Sequence, residues 1–457
     1  MHSASTRHPS SYRDPSGFLF HDNGVLYRQV NQSFRQDFDL FNDTGLYNEL
    51  ANKQLLISHR EIEGVCYSGE AYKTIEPEVI PFISYPYEWC FDMLKDAALV
   101  TLDIAMESMQ KGMLLKDASS YNVQWHKGKM MFIDTLSFEK YDEKEPWIAY
   151  RQFSEHFLAP LALMHYLQVP LQNILVGYSD GIPLSITKKL LPFKSRFTLN
   201  TYLHLHLQAS EAGKRTGNKN QVSFSKTKLS NILKSLKEAI NSYSFSTPSG
   251  VWSNYYEEAR ERQDYVEQKK SIISEWIKRL NIEKAIDLGA NEGEFSFILS
   301  GEGAYTISAD LDHYSINRLY KKIKQENISN IHPLLIDLSS PSPAIGLNNM
   351  ERASFIERTQ TDLVLALALV HHLAIGKNIP FEDIAIFFRS LGKKLIIEFM
   401  PKEDDKVKWM LQQKRDIYDW YSKDRFLGAF NKHYKVADSK IIGNSNRTLF
   451  LMEPLYH

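Results

Sequence analysis

From Lys284 onward, short apolar runs alternate with amphipathic stretches. The runs are KAIDL (284–288), YTISAD (305–310), IHPLLID (331–337), DLVLALAL (362–369) and KLIIEF (394–399). Runs this apolar read as strands covered on both faces, and strands alternating with helices predict an α/β, doubly wound parallel sheet. Before them, Tyr256, Ala259, Val266, Ile273, Trp276, Ile277 and Leu280 recur at helical spacing, which predicts a helical segment over 251–282. Further back the pattern is mixed. Residues 18–205 alternate apolar and polar stretches without long gaps and predict an α+β domain. The polar first 17 residues, with two prolines, are expected to be a disordered lead-in. The stretch EAGKRTGNKNQ (211–221) marks a basic linker region over 206–250. No internal repeat stands out.

Composition narrows the class. The chain has 457 residues, enough for two or three domains, with 43% hydrophobic and 24% charged residues. Lys and Arg number 54 against 55 acids, a formal charge of −1, so no nucleic-acid partner is expected. The region 181–240 is locally basic and reads either as a solvated face or as a docking patch for an anionic partner. Two cysteines, Cys66 and Cys90, make neither a disulfide framework nor a four-thiolate zinc site. No apolar run reaches the length of a membrane span, and no secretory signal precedes the first domain. A cytoplasmic protein without membrane insertion is the expectation.

The clearest chemistry lies in AIDLGANEGEFS (285–296). A strand ends near Asp287, a turn contains Gly289, Asn291 and Gly293, and a helix follows. A ligand lying over a strand tip needs close backbone approach, which a Cβ would block. The acids Asp287, Glu292 and Glu294 would repel a pyrophosphate and suit a cationic ligand such as S-adenosyl-L-methionine, with its sulfonium and ammonium. Asp310, at the tip of the second strand, faces ribose hydroxyls in this topology, although it also suits a helix cap. The third strand ends in Asp337 and Leu338, positioned for the adenine amino group, with an N-cap again the alternative. The fourth runs through Leu369 to His371 and His372, beside the place of the transferring methyl. Either histidine is a candidate base for a hydroxyl acceptor.

Residues 283–457 thereby resemble the class I S-adenosylmethionine-dependent methyltransferases. The resemblance implies a Rossmann-like, mostly parallel seven-stranded sheet whose last pair, ending in RTLFLM (447–452), is antiparallel. It also implies that the prefix helix folds over the cofactor cleft as a lid. The wider chain, through DASSYN, FIDTLSFE, WSNYYEEA and EFMPKEDDKV, resembles the NoeA-like nodulation methyltransferases. That resemblance implies methyl transfer without supplying a substrate, and the expected acceptor is an O or N of a small molecule or glycan.

In the first half, Asp117 and Asn122 precede a hairpin around Gly128 and an apolar strand ending in Asp134. This resembles the catalytic and metal loops of kinase-like phosphotransferases, with Asn122 and Asp134 as weak Mg²⁺ candidates. The chain lacks a glycine-rich phosphate loop, and Thr-Leu follows Asp134 where such enzymes carry Phe-Gly. Lost phosphoryl transfer and an acceptor-binding role are therefore expected, and no metal. The alternatives are a methyltransferase fused to an active kinase-like domain, or a non-catalytic cofactor-sensing scaffold.

Overall fold

The computed structural model describes residues 5–211, 225–246 and 263–455. The chain divides into two units: residues 1–246 with Ala344–Arg352, and residues 247–343 with 353–457.

The second unit is built on one sheet. Its strands are β10 (Lys284–Leu288), β11 (Tyr305–Asp310), β12 (Ile331–Leu335), β13 (Thr361–Ala366), β14 (Gly392–Phe399), β15 (Tyr434–Ile441) and β16 (Thr448–Pro454). They lie in the order β12-β11-β10-β13-β14-β16-β15. The first five are parallel, while β16 runs antiparallel to both β14 and β15. The apolar runs predicted these strands because helices cover both faces of the parallel part. Every residue of β12 and four of five in β10 are buried. The order reverses direction at β10, so the tips of β10, β11 and β13 meet at one crevice, where ligands bind in such sheets.

The prefix helix Gln263–Arg279 is part of this core. Ile273, Trp276 and Ile277 pack with Ala285, Leu363, Ile396, Leu449 and Leu451. The Trp276 indole N–H donates to Asp438 at 2.8 Å. In the segment expected to be a lid, Ile273, Trp276 and Ile277 form a structural layer against the sheet, while Lys270 pairs with Glu294 beside the glycine turn at 2.7 Å. Residues 252–262 of that expectation lie outside the described residues.

The first unit carries a five-stranded sheet in the order β1-β2-β3-β5-β4, formed by Thr6–Arg7, Gly17–Asp22, Val25–Asn31, His59–Ile62 and Ala71–Pro77 in chain order. The helix Phe91–Gln110 follows, then the pair β6 (Met113–Leu115) with β9 (Phe138–Lys140), and the hairpin β7 (Val123–His126) with β8 (Lys129–Phe132). Lys127 and Gly128 turn that hairpin with φ of 48° and 81°, the backbone a two-residue turn requires.

Two other expectations change. The lead-in is ordered from residue 5: β1 pairs with β2, and His8 N–H donates to Leu19 O at 2.8 Å. Backbone pairing, which needs no apolar side chain, holds it. The linker region contains the helix Lys226–Ser242, whose Leu229, Leu233, Leu236, Ala239 and Ile240 are buried while its lysines face out. Lys95 Nζ donates to Asn241 O and Tyr243 O at its end. The lysines masked an amphipathic face. Residues 212–224 lie outside the described residues. Within this unit Arg13 makes two hydrogen bonds to Glu351, which Tyr12 also contacts, and the Arg352 guanidinium stacks 3.8 Å from the Tyr121 ring.

Trp276 is fully buried, so Trp276→Ala should lower stability by about 3–5 kcal/mol. Urea unfolding followed by circular dichroism measures this. An unchanged transition would place the helix outside the core.

Candidate active site

The turn after β10 is fixed from β11. Gly289 N–H and Ala290 N–H both donate to Ala309 O, at 2.8 and 3.1 Å. Asn291 N–H donates to Asp310 Oδ2 at 2.7 Å. Gly289 and Asn291 take φ of 74° and 51°, the left-handed region that glycine enters freely and asparagine tolerates. A Cβ on Gly289 would meet only Leu369, at 3.5 Å. The two turns therefore stand close together, with Leu369 in van der Waals reach of Gly289. Gly293 differs, because its Cβ would stand 2.7 Å from Leu319. Its bareness serves helix packing against Leu319.

Each acid has its own environment. Asp287 is 2% exposed and accepts the Ser296 hydroxyl at 2.7 Å. Burial pushes its carboxyl up to about 6. It ties the strand to the following helix and lies beneath the crevice. Asp310 is half-buried, and its other oxygen accepts Asp312 N–H at 2.8 Å. Burial raises its pKa. Each of its oxygens has one remaining lone pair, so ribose hydroxyls fit there. Asp337 accepts Ser339 N–H and Oγ at 2.8 and 2.6 Å, with Lys377 Nζ at 3.7 Å. Burial pushes it up, but these partners hold it below its ordinary value. It caps its own turn, and Leu338 beside it is half-buried.

The two histidines separate. His371 is 3% exposed, and burial, then the neighbouring His372, pushes its pKa down to about 3. Such an imidazole is neutral and a poor base at neutral pH. His372 is exposed, its ring 4.2 Å from that of His371.

A group of residues that sequence reasoning missed sits behind this tip. Glu398, at the end of β14, is 1% exposed. It accepts Lys269 Nζ at 2.5 Å, the Tyr265 hydroxyl, and the backbone N–H of Ala368 at 3.0 Å. Arg447 Nη1 lies 3.6 Å away and is itself held by Asp404 through bonds of 2.6 and 3.1 Å. Burial pushes the Glu398 carboxyl up, and Lys269, Tyr265 and Arg447 more than reverse it. Ala368 has φ of 49°, a conformation that strains a residue with a Cβ. The Glu398 bond holds that strained turn, and the turn aims Leu369 at Gly289. A signal existed in the sequence: a lone glutamate ends LIIEF, a run predicted to be buried on both faces.

In the first unit Asp117, Asn122 and Asp134 come together. Asp117 is pushed up by burial and then by the charge of Asp134, and Asn122 hydrogen-bonds to it. Asn122 also reaches Ser137, whose hydroxyl donates to Asp134 Oδ2 at 2.5 Å. Asp134 Oδ1 is taken by the Arg28 guanidinium at 2.5 Å. The weak Mg²⁺ candidates Asn122 and Asp134 therefore do not fit a metal. Arg28 supplies the positive charge, and both carboxylate oxygens have partners. Among the described residues no cluster of three or more His, Cys, Asp or Glu is arranged to hold a metal ion.

The sheet order and the turn facing Asp310 define the second unit as a class I methyltransferase fold. The chain belongs to the family of the nodulation protein NoeA. It is 30% identical to that protein of Rhizobium meliloti (strain 1021) over 456 residues, which is 97% of this chain and 95% of the relative. No protein-family model matches. Similar solved structures include the magnesium protoporphyrin IX methyltransferase of Synechocystis, at 15% identity and a TM-score of 0.31, covering 44% of this chain and 95% of that one. The bifunctional kinase-methyltransferase WbdD is similar at 15% identity and a TM-score of 0.28, covering 43% and 39%. At these scores neither adds to the strand order. No helix among the described residues is long and apolar enough to cross a membrane.

Asp287 tests its environment through pH. Its folded pKa lies above the ordinary 3.8, so the folded state holds this proton more tightly. Stability from this group is full below pH 3.8 and lost as pH rises through about 6, on the order of 3 kcal/mol in all. The melting temperature of Asp287→Asn minus that of the native protein should therefore grow between pH 4 and 7. A constant difference would show that Asp287 titrates as it does in solution.

Proposed function

We propose that the chain is an S-adenosyl-L-methionine-dependent methyltransferase acting on an O or N of a small molecule or glycan. One observation supports the reading: the left-handed Gly289 turn at the tip of β10 is bonded to Asp310 at the tip of β11 and lies beside Leu369. Gly289 and Asn291 would pass the methionine end, Asp310 would accept the ribose hydroxyls, and Asp337 with Leu338 would border the adenine. When bound, the cofactor supplies an electrophilic methyl on a sulfonium. The chain's share is to hold the acceptor in line beside Leu369 and to exclude water. A hydroxyl acceptor that took the methyl group would have to give up its proton to a base of the chain. His372 is the base of choice: burial lowers its pKa too, against the pull of Asp310, but it reaches solvent, whereas His371 is sealed and pushed down to about 3.

Calorimetric titration with S-adenosylhomocysteine tests the cofactor site. Asp310→Ala should weaken binding by about 2–3 kcal/mol, the worth of two hydrogen bonds to a charged group. Gly289→Asp should abolish it. Native affinity in both variants would overturn the assignment. His372→Gln should leave that affinity intact and lower turnover on a hydroxyl acceptor by about 10²–10⁴-fold.

A second reading concerns the first unit, which we propose to be kinase-like without phosphoryl transfer. The Arg28–Asp134 pair supports it, because the guanidinium stands where a metal would have to reach the carboxylate. Incubation with γ-labelled ATP and Mg²⁺ should give no transfer to any acceptor. Measured transfer would make the protein bifunctional.

A further inference from the structure

The segment between Leu184 and Leu207 in the first unit shows two opposite faces. Its inner face is tightly held. Ser195 is fully buried and bonds to Pro192 O at 2.7 Å and to His206 Nε2 at 2.8 Å. His204, also buried, bonds to Tyr150 and Ser235. Thr198 accepts the Tyr166 hydroxyl at 3.0 Å. The outer face displays what soluble surfaces usually hide. Phe193 is 67% exposed, Phe197 78% and Leu199 70%. The two phenylalanine rings meet edge to face at 5.4 Å, and the Arg196 guanidinium lies 5.2 Å from the Phe193 centroid. Lys194 adjoins Phe193 in sequence, and it and Lys189 of the preceding helix are exposed. From Gly181 to Ser210 the chain contains no Asp or Glu.

Rings on a frayed loop would be accidental, but these stand on an anchored element. A purely basic face would suit any polyanion, and a purely apolar one would suit another protein. Phenylalanine and leucine side chains in a segment whose charges are all cationic, with Glu238 of the neighbouring helix reaching it through Asn200 at 3.3 Å, match a surface that offers anionic phosphates above an apolar layer. Nucleic acid supplies the phosphates but no apolar layer for Leu199.

We propose that this face is a peripheral docking surface for an anionic phospholipid bilayer. Phe193, Phe197 and Leu199 enter the interface, and Lys189, Lys194 and Arg196 pair with headgroup phosphates. The element lies on the bilayer and does not cross it. The proposal stands apart from the methyl-transfer reading, since neither the cofactor turn nor His372 belongs to this face.

Co-sedimentation of the full chain with vesicles tests it. Binding is expected to vesicles of phosphatidylglycerol mixed with phosphatidylcholine, and not to phosphatidylcholine alone. The double variant Phe193→Ser/Phe197→Ser should weaken binding about tenfold or more at constant charge. The triple variant Lys189→Glu/Lys194→Glu/Arg196→Glu should abolish it, and the native binding should fall as salt rises. All five side chains are exposed, so the far-ultraviolet spectrum should be unchanged. Absence of vesicle binding by the native chain would overturn the proposal. So would binding that the phenylalanine variant leaves unchanged. Sedimentation velocity supplies the remaining outcome: a native dimer that this variant dissociates, without vesicle binding, would assign the face to a second copy of the chain.

Discussion

The second unit depends on a charge that its own core makes costly. Glu398 ends a strand covered on both faces, where an isolated carboxylate would lose several kcal/mol of hydration. Lys269 from the prefix helix, Tyr265 one turn earlier and Arg447 from the final hairpin converge on it. Three segments far apart in sequence are thereby tied to one point. The N–H of Ala368 uses the remaining capacity of the carboxylate. Leu369 stands against the Gly289 turn because this bond holds the strained residue before it.

Much of this unit was legible in the sequence, for a physical reason. Strands buried on both faces must be apolar throughout, so KAIDL and KLIIEF stand out without any periodicity. The turn between them and the next helix needs left-handed backbone, so glycine and asparagine mark it. What stayed hidden was pairing at long range. Nothing local to Arg28 says that it will neutralise Asp134, more than a hundred positions later. The helix Lys226–Ser242 was masked in another way. Its lysines carry the composition of the region, while five apolar positions carry its packing. The lead-in was misread because backbone pairing leaves no mark on side-chain polarity.

Identical side chains acquire different chemistry from their surroundings. His371 and His372 are adjacent in sequence, yet one is sealed in the core and the other meets solvent. Gly289 and Gly293 belong to one motif, yet the first lies beside Leu369 at the strand tips and the second leaves room for Leu319. Asp287 is buried against Ser296, while Asp310 keeps lone pairs open at the crevice. Spacing identifies such residues as a group, and only packing assigns each its part.

The placement of Ala344–Arg352 in the first unit has a consequence for synthesis on the ribosome. Glu351 accepts from Arg13 and Tyr12, and Arg352 stacks on Tyr121, so the first unit lacks part of its structure until the chain has grown past Arg352. By then β10, β11 and β12 have already emerged. The amino-terminal unit therefore cannot be finished before translation of the other is well advanced, contrary to the simple order in which domains fold as they leave the tunnel. Dividing this gene at the boundary near residue 246 would yield two polypeptides, the first without its closing piece and the second with that piece stranded in water.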